Sequence, residues 1–247
     1  MDYVENNGVR VAYEAIGSGP PLVLQHGFSQ DSAEWTQYGY VAPLAEKFRV
    51  VLLDMRGHGH SDKPHDGAAY ALSNLVGDVV AVLDALGAGR AHYWGYSMGG
   101  WIGLGLLTQR PDRLGKVVLG GVQPYARKAT PFKSDGSDAE AFMRELAQRF
   151  GLDFDALPAA FRAKLLAMDC RALAVAQGDR DSLAGLLPGI TTPCLAYAGD
   201  KDRLYAEAQQ GASAIPNSKF VTVPGGHVQA FQDAKAILPD VMKFLAA

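Results

Sequence analysis

Serine 97 stands between two glycines in Gly95-Tyr96-Ser97-Met98-Gly99. An apolar, strand-like run at 91–94 precedes it and a helix-like run at 101–109 follows. G-x-S-x-G between a strand and a helix is the sequence form of a sharp elbow that exposes the serine hydroxyl. Such a turn forces the serine into a strained conformation, and glycines at minus two and plus two remove a collision across it. The hydroxyl then projects at a helix N-terminus, where N–H groups favour a developing negative charge. The bland reading of these residues is a Gly-Ser turn capping a helix, so the other chemical groups have to decide.

A serine hydroxyl is a poor nucleophile at neutral pH. It needs a base in hydrogen-bond reach and a partner that fixes the base's tautomer. Of six histidines, only His227 follows Ser97, as the chain order serine, acid, histidine requires. It lies in Pro224-Gly225-Gly226-His227, just after the last strand-like run. His92 lies within a strand-like run, His58 and His60 in a glycine-rich loop, and His65 in a turn.

Two loops compete to supply the acid. Gly178-Asp179-Arg180-Asp181 closely resembles Gly199-Asp200-Lys201-Asp202. The second follows a strand-like run, whereas the first follows an alanine-rich helical stretch. The acid should leave the sheet one strand before the histidine, which favours the 199–202 copy. Within it, Asp202 reaches further into the loop and is preferred. Asp200, directly after the glycine, suits capping of backbone N–H groups but stays in play on spacing alone.

The electrophilic half requires two N–H donors aimed at an oxyanion. The N–H of Met98 is one, and the loop His26-Gly27-Phe28 supplies the other as Phe28 N–H. Gly27 permits the close backbone approach, and His26 bonds within the loop. The stretch from Asp54 to Ser61 is glycine-rich but lacks a Walker lysine and the dinucleotide spacing, so it reads as a loop bracing the rim. No H-E-x-x-H or C-x-x-C pattern is present, and neither a metal nor a cofactor is expected.

These groups need a scaffold. Strand-like runs at 9–15, 21–25, 50–54, 91–94, 116–121, 194–198 and 219–223 alternate with helical patterns at 33–47, 73–86, 98–110, 205–215 and 231–245. Alternation of this kind predicts an α/β fold: a mostly parallel twisted sheet of about eight strands flanked by helices. Ser73 reads as an N-cap and Gly87 as a helix stop. The two N-terminal strand runs, with no helix between them, should form an antiparallel edge. From about 123 to 189 no strand is expected. Helical patterns at 138–150, 159–168, 171–177 and 183–187, punctuated by prolines at 124, 131, 158 and 188 and followed by Pro193, read as an inserted helical cap over the cleft. The expected division is a core of 1–122 and 190–247 with a cap (lid) of 123–189.

Composition narrows the partners. The net charge is −3, so no basic field draws nucleic acid or anionic lipid. No apolar run reaches membrane-spanning length, and the acidic N-terminus does not read as a signal peptide. Two cysteines, Cys170 and Cys194, read as core fillers, which fits a reducing cytoplasm. Oligomeric state is not legible.

Together the motifs at 24–27, 54–61, 95–100, 199–202 and 225–227 resemble the α/β-hydrolase fold family, in its serine esterase/lactonase-like branch with a short helical cap. The resemblance covers nearly all of the chain outside the cap. In that family the acid is the fourth residue of a G-x-x-D loop, which implies Asp202. Serine at the elbow sets the chain apart from epoxide hydrolases and haloalkane dehalogenases, which carry aspartate there, and from dienelactone hydrolases, which carry cysteine. The resemblance implies a carboxylesterase-like serine hydrolase of small to medium carboxylic esters or lactones, working through an acyl-enzyme. Enol-lactone hydrolases and cofactor-free haloperoxidases share the pattern, and so do ligand receptors that keep the triad but turn over slowly. Tyr125, Phe132 and Phe142 in the cap are candidates for the acyl pocket, with packing inside the cap as the competing role.

Overall fold

The computed structural model describes residues 1–246. Asp2–Asn6 (β1) and Val9–Ile16 (β2) form a hairpin. Asn7 and Gly8 turn it with φ of 52° and 74°, the two positive values that a tight Asn-Gly turn needs. The chain continues through Pro21–Gln25 (β3), Ala33–Gln37 (α1), Val41–Ala45 (α2) and Arg49–Leu53 (β4). Leu72–Ala85 (α3), Ala91–Tyr96 (β5), Met98–Gln109 (α4) and Leu114–Gly120 (β6) follow. Three helices come next: Ala139–Arg149 (α5), Ala159–Leu166 (α6) and Cys170–Ala176 (α7). Cys194–Gly199 (β7), Tyr205–Ser213 (α8), Ser218–Val223 (β8), His227–Gln232 (α9) and Ala234–Ala246 (α10) complete the described chain.

The strands form one eight-stranded sheet in the order β1-β2-β4-β3-β5-β6-β7-β8. From β4 to β8 every neighbouring pair is parallel. Side chains alternate between two apolar layers, as the period of a strand dictates. Leu22, Leu24, Trp94, Tyr96 and Tyr197 face a core with Trp35, Leu44, Phe231 and Ile237, from α1, α2, α9 and α10. Val23, Tyr93, Val117 and Ala196 face the other core, with α3 and α4. Phe142, Met143, Leu146 and Leu173 of the helical segment between β6 and β7 belong to that second cluster. This segment therefore shares the sheet's core and has no separate one. No described helix is long and apolar enough to cross a membrane.

Four sequence expectations need correction. The antiparallel edge is β1 with β2, and β2 pairs with β4; β3 lies inside the sheet, parallel to β4 and β5. β1 escapes a hydrophobicity reading because most of its residues are exposed. The expected helix at 33–47 is two, divided at Gly39, where φ is 86°, and that at 231–245 is likewise interrupted at Asp233. Ser73 lies inside α3, whose N-cap is Ala71; Gly87 does end it, with φ of 65°.

The 54–61 loop is braced by a buried ion pair. Arg56 Nε donates to Asp78 Oδ2 at 2.7 Å and Nη2 to Oδ1 at 2.5 Å. Asn6 adds a hydrogen bond to Asp78 at 2.8 Å, and Arg56 also donates to the Ala69 carbonyl. Burial pushes the Asp78 carboxyl upward against the pull of Arg56, so the two groups depend on each other. Asp78→Ala leaves a guanidinium uncompensated in the interior and should cost about 3–5 kcal/mol of folding stability. Urea denaturation checks this; a loss below about 1 kcal/mol would show that water replaces the carboxylate.

Candidate active site

Ser97 sits between β5 and α4 with φ 52° and ψ −108°. Only two other non-glycine residues, Asn7 and Ser29, have positive φ among the described residues. The flanking glycines are explained by close approach. A Cβ on Gly95 would lie 2.2 Å from the Gly99 carbonyl oxygen, across the turn. A Cβ on Gly99 would lie 2.2 Å from the Gln25 carbonyl oxygen, so the second glycine makes room for β3 and not for the turn itself. The Ser97 N–H donates to the Gly120 carbonyl at 2.8 Å, which pins the elbow to β6.

His227 opens α9 just beyond β8. Its Nε2 lies 2.9 Å from Ser97 Oγ, and its Nδ1 lies 2.6 Å from Asp202 Oδ2. With Nδ1–H donating to the carboxylate, Nε2 is left as the acceptor facing the hydroxyl. Asp202 is buried, and its second oxygen accepts the Leu204 N–H at 2.9 Å. Asp200 is exposed and turned away, accepting the Gly225 N–H at 2.8 Å. The competing loop reaches neither Ser97 nor His227 through its carboxylates. Asp179 pairs with Lys128 at 2.7 Å, and Asp181 is exposed. The structure thus brings Ser97, His227 and Asp202 together and keeps Asp200, Asp179 and Asp181 out.

Tyr96 is a member of this constellation that sequence reasoning passed over. It is buried, and its hydroxyl donates to the His227 carbonyl. Its ring lies 5.3 Å from the imidazole and 4.9 Å from Phe231, centroid to centroid. The signal was present at the variable position before the serine. That position points to the opposite face of β5 from Tyr93, under the start of α9, where only a long side chain with a polar tip reaches.

The loop after β3 faces the elbow. A Cβ on Gly27 would lie 3.3 Å from Ser97 Cβ. Phe28 N–H has no protein acceptor among the described residues, and Met98 N–H heads α4. Several contacts hold this loop. His26 Nε2 accepts the Met55 N–H at 3.0 Å, and its Nδ1 faces the Gly27 carbonyl at 2.7 Å. His58 Nε2 accepts the Ser29 N–H at 3.1 Å. Burial, then the neighbouring His26, push His58 down to about 3, so it stays a neutral acceptor. Gln30 accepts the Gly27 N–H at 2.8 Å and donates to Glu34 at 2.7 Å. Glu34 in turn pairs with Lys164 of α6 at 3.1 Å.

Ser97 and His227 lie where two cavity compartments meet. The first, about 400 Å³, is walled by apolar side chains including Phe150, Phe161, Leu165 and Phe231. The second, about 360 Å³, extends over Trp101 towards several arginines. Helices α5 and α6 wall the first compartment, and Leu146 of α5 borders both. Of the three aromatic residues expected to line a pocket, Tyr125 borders the second compartment. Phe132 and Phe142 border neither; their rings pack together at 4.2 Å, and Phe142 is fully buried. Phe142, on the inward face of α5, and the half-buried Phe132, from the irregular segment before it, pack against each other and not into the cleft.

Comparison with known proteins places this arrangement. The family model for the alpha/beta hydrolase fold matches residues 20–170. An uncharacterized protein of Mycobacterium tuberculosis is 39% identical over 144 residues, 56% of this chain and 41% of its own length. The chain thus spans less than half the length of that relative. A pimeloyl-[acyl-carrier protein] methyl ester esterase of Stenotrophomonas maltophilia is 30% identical, covering 95% of this chain and 96% of its own. Among solved structures, the enol-lactonase from Burkholderia xenovorans LB400 superposes with a TM-score of 0.83 at 26% identity over the full length of both chains. With its elbow at β5 and its eight-stranded sheet, the chain belongs to the alpha/beta hydrolase fold family.

Proposed function

We propose that the protein is a serine hydrolase that cleaves small to medium carboxylic esters or lactones through an acyl-enzyme. The observation that carries this is the continuous hydrogen-bond line from Ser97 Oγ through His227 to Asp202, at 2.9 and 2.6 Å. In this reading Ser97 attacks the carbonyl while His227 Nε2 takes its proton. Asp202 stabilises the imidazolium and holds its tautomer. The N–H groups of Met98 and Phe28 receive the oxyanion, a pair whose individual loss costs about 2.7–4 kcal/mol at the transition state. His227 returns the proton to the leaving alcohol, then activates the water that releases the acid.

The segment 123–189 acts as a lid over the core of 1–122 and 190–247. Its helices give the cleft walls but none of the three reacting side chains, so it sets substrate preference more than chemistry. The esterase and enol-lactonase relatives support the ester or lactone class, and the buried, unpaired Cys170 and Cys194 suit a reducing cytoplasm. A panel of p-nitrophenyl esters of rising acyl length, with lactones alongside, tests the reading. Hydrolysis of none of them, together with no labelling of Ser97 by a fluorophosphonate, would reject it.

The same reading separates wall from filler. Leu146→Ala should move the acyl-length optimum towards longer chains, because Leu146 borders both compartments. Phe142→Ala should leave that optimum in place and lower stability by about 3–5 kcal/mol. The ratio of octanoate to butyrate hydrolysis in each variant is the measurement; an optimum that moves with Phe142 and not with Leu146 would reverse the assignment.

A further inference from the structure

The second compartment carries a charge that ester cleavage by itself does not explain. Five cations border it, Arg127, Lys128, Arg149, Arg180 and Arg203, and no carboxylate does. Two of the five are neutralised within the protein. Lys128 pairs with Asp179 at 2.7 Å, and Arg149 pairs with Glu145 at 2.6 Å while donating to the Thr130 and Pro131 carbonyls. Arg127, Arg180 and the exposed Arg203 make no side-chain hydrogen bond or ion pair among the described residues.

Arg127 and Arg180 come from opposite ends of the helical segment and are set side by side. Their backbones pair reciprocally, N–H to carbonyl at 2.9 Å in both directions. Nε and Nη2 of Arg127 are buried with no acceptor. The Arg180 guanidinium lies 5.3 Å from the centre of the Trp101 ring, one turn along the helix that Ser97 caps. Burial, then the proximity of Arg127, push Arg180 down to about 9; burial, then Arg203, lower Arg127. Two half-buried guanidinium groups without a counter-ion are costly in the free protein. An anion with two acceptor oxygens would meet their planar N–H edges and remove that cost. The first compartment has the opposite character, with apolar walls and Glu34 as its charged group.

We propose that the substrate is an anionic ester or lactone, with a free carboxylate on the arm held by Arg127 and Arg180 and an uncharged apolar arm in the first compartment. This rests on the hydrolase reading above and names its substrate class. The reaction consumes one water; an ester yields an alcohol and an acid, one of which keeps the carboxylate at the arginine pair, and a lactone yields a single hydroxy acid that keeps it. The loop that resembles the acid loop, 178–181, is then a binding element through Arg180 and not a vestige of the proton relay.

The test compares p-nitrophenyl hydrogen glutarate with its methyl-capped diester, which has the same reacting bond and no charge. In the wild-type protein kcat/KM should favour the charged ester by on the order of 10–100-fold, the value of one or two charge-assisted hydrogen bonds. In Arg180→Gln and in Arg127→Gln the ratio should fall to near one. Both esters are measured on the same preparation, so a reduced folded fraction cancels. A wild-type ratio of one or below would overturn the proposal, as would a ratio retained in both variants. Inorganic phosphate and glutarate are compared as competitive inhibitors, and stronger inhibition by phosphate would replace the carboxylate by a phosphoryl group and overturn the class named here. Hydrolysis of neutral p-nitrophenyl butyrate keeps the two readings apart. If it proceeds while the charged ester shows no preference, only the anionic class fails; if no ester is cleaved at all, the hydrolase reading fails with it.

Discussion

Ser97→Ala should lower ester hydrolysis on the order of 10⁴–10⁶-fold, with the fold intact. The size of the effect follows from the absence of a substitute. Ser29, in the loop facing the elbow, has its N–H committed to His58 and no base at its oxygen among the described residues. What remains in the variant is the pair of oxyanion donors with water as nucleophile. The elbow also predicts a second effect, on stability. Ser97 holds φ at 52°, a conformation that costs on the order of 1–3 kcal/mol for a residue with a Cβ. Ser97→Gly should therefore be inactive yet more stable than Ser97→Ala. Turnover of p-nitrophenyl butyrate and urea midpoints of the three proteins provide the comparison. Activity of the alanine variant within tenfold of wild type would remove Ser97 from the mechanism, and equal midpoints would remove the strain argument.

The parts of this molecule legible in its sequence are those where chemistry and backbone make one demand. Gly95, Ser97 and Gly99 are such a case: a strained turn, a strand packed against it and an exposed hydroxyl each require those residue types. The order of Ser97, Asp202 and His227 is legible for a related reason, since each stands at the C-terminal end of its strand in a parallel sheet. Failures cluster where tertiary packing overrode a local pattern. The run at 33–47 is amphipathic throughout, and only the left-handed turn at Gly39 reveals that Trp35 and Tyr40 are folded back on each other, 4.9 Å apart. β1 is a strand because β2 offers it a partner, and its own side chains give little sign of it. Phe132 and Phe142 were legible as apolar but not as facing inward. Whether Phe142 on α5 and Phe132 in the irregular segment before it turn inward depends on what lies beneath them, which no local signal encodes. Arg180 drew no attention for the inverse reason. Its loop matches the acid loop at three of four positions, Gly178, Asp179 and Asp181, which drew the reading to its aspartates and away from the residue between them.

Asp202→Asn should lower kcat by on the order of 10⁴-fold while leaving binding nearly unchanged. The amide keeps the shape of the carboxylate but offers His227 Nδ1 either a weaker acceptor or a donor. In the second case the ring turns its proton to Nε2, where it faces Ser97 Oγ and cannot accept. The geometry makes the penalty specific. Asp202 Oδ2 is 2.6 Å from Nδ1, the Tyr96 ring packs against the imidazole at 5.3 Å between centroids, and no second acceptor for Nδ1 is present among the described residues. Asp200→Asn should cost far less, because that side chain bonds only the Gly225 N–H and an amide oxygen can accept the same bond. Its effect is one on the loop that carries His227. Asp181→Asn should be close to silent in kcat, since its carboxylate is exposed and contacts neither Ser97 nor His227. The ranking is the measurement: kcat for the three variants on one neutral ester, in the order Asp202 far below Asp200, and Asp200 at or below Asp181. If Asp200→Asn proves the crippled variant, the loop must shift on binding substrate so that the fourth position yields to the second. If Asp181→Asn is crippled, the anion-binding and proton-relay roles of the two similar loops are exchanged, and the mechanism drawn through β7 fails.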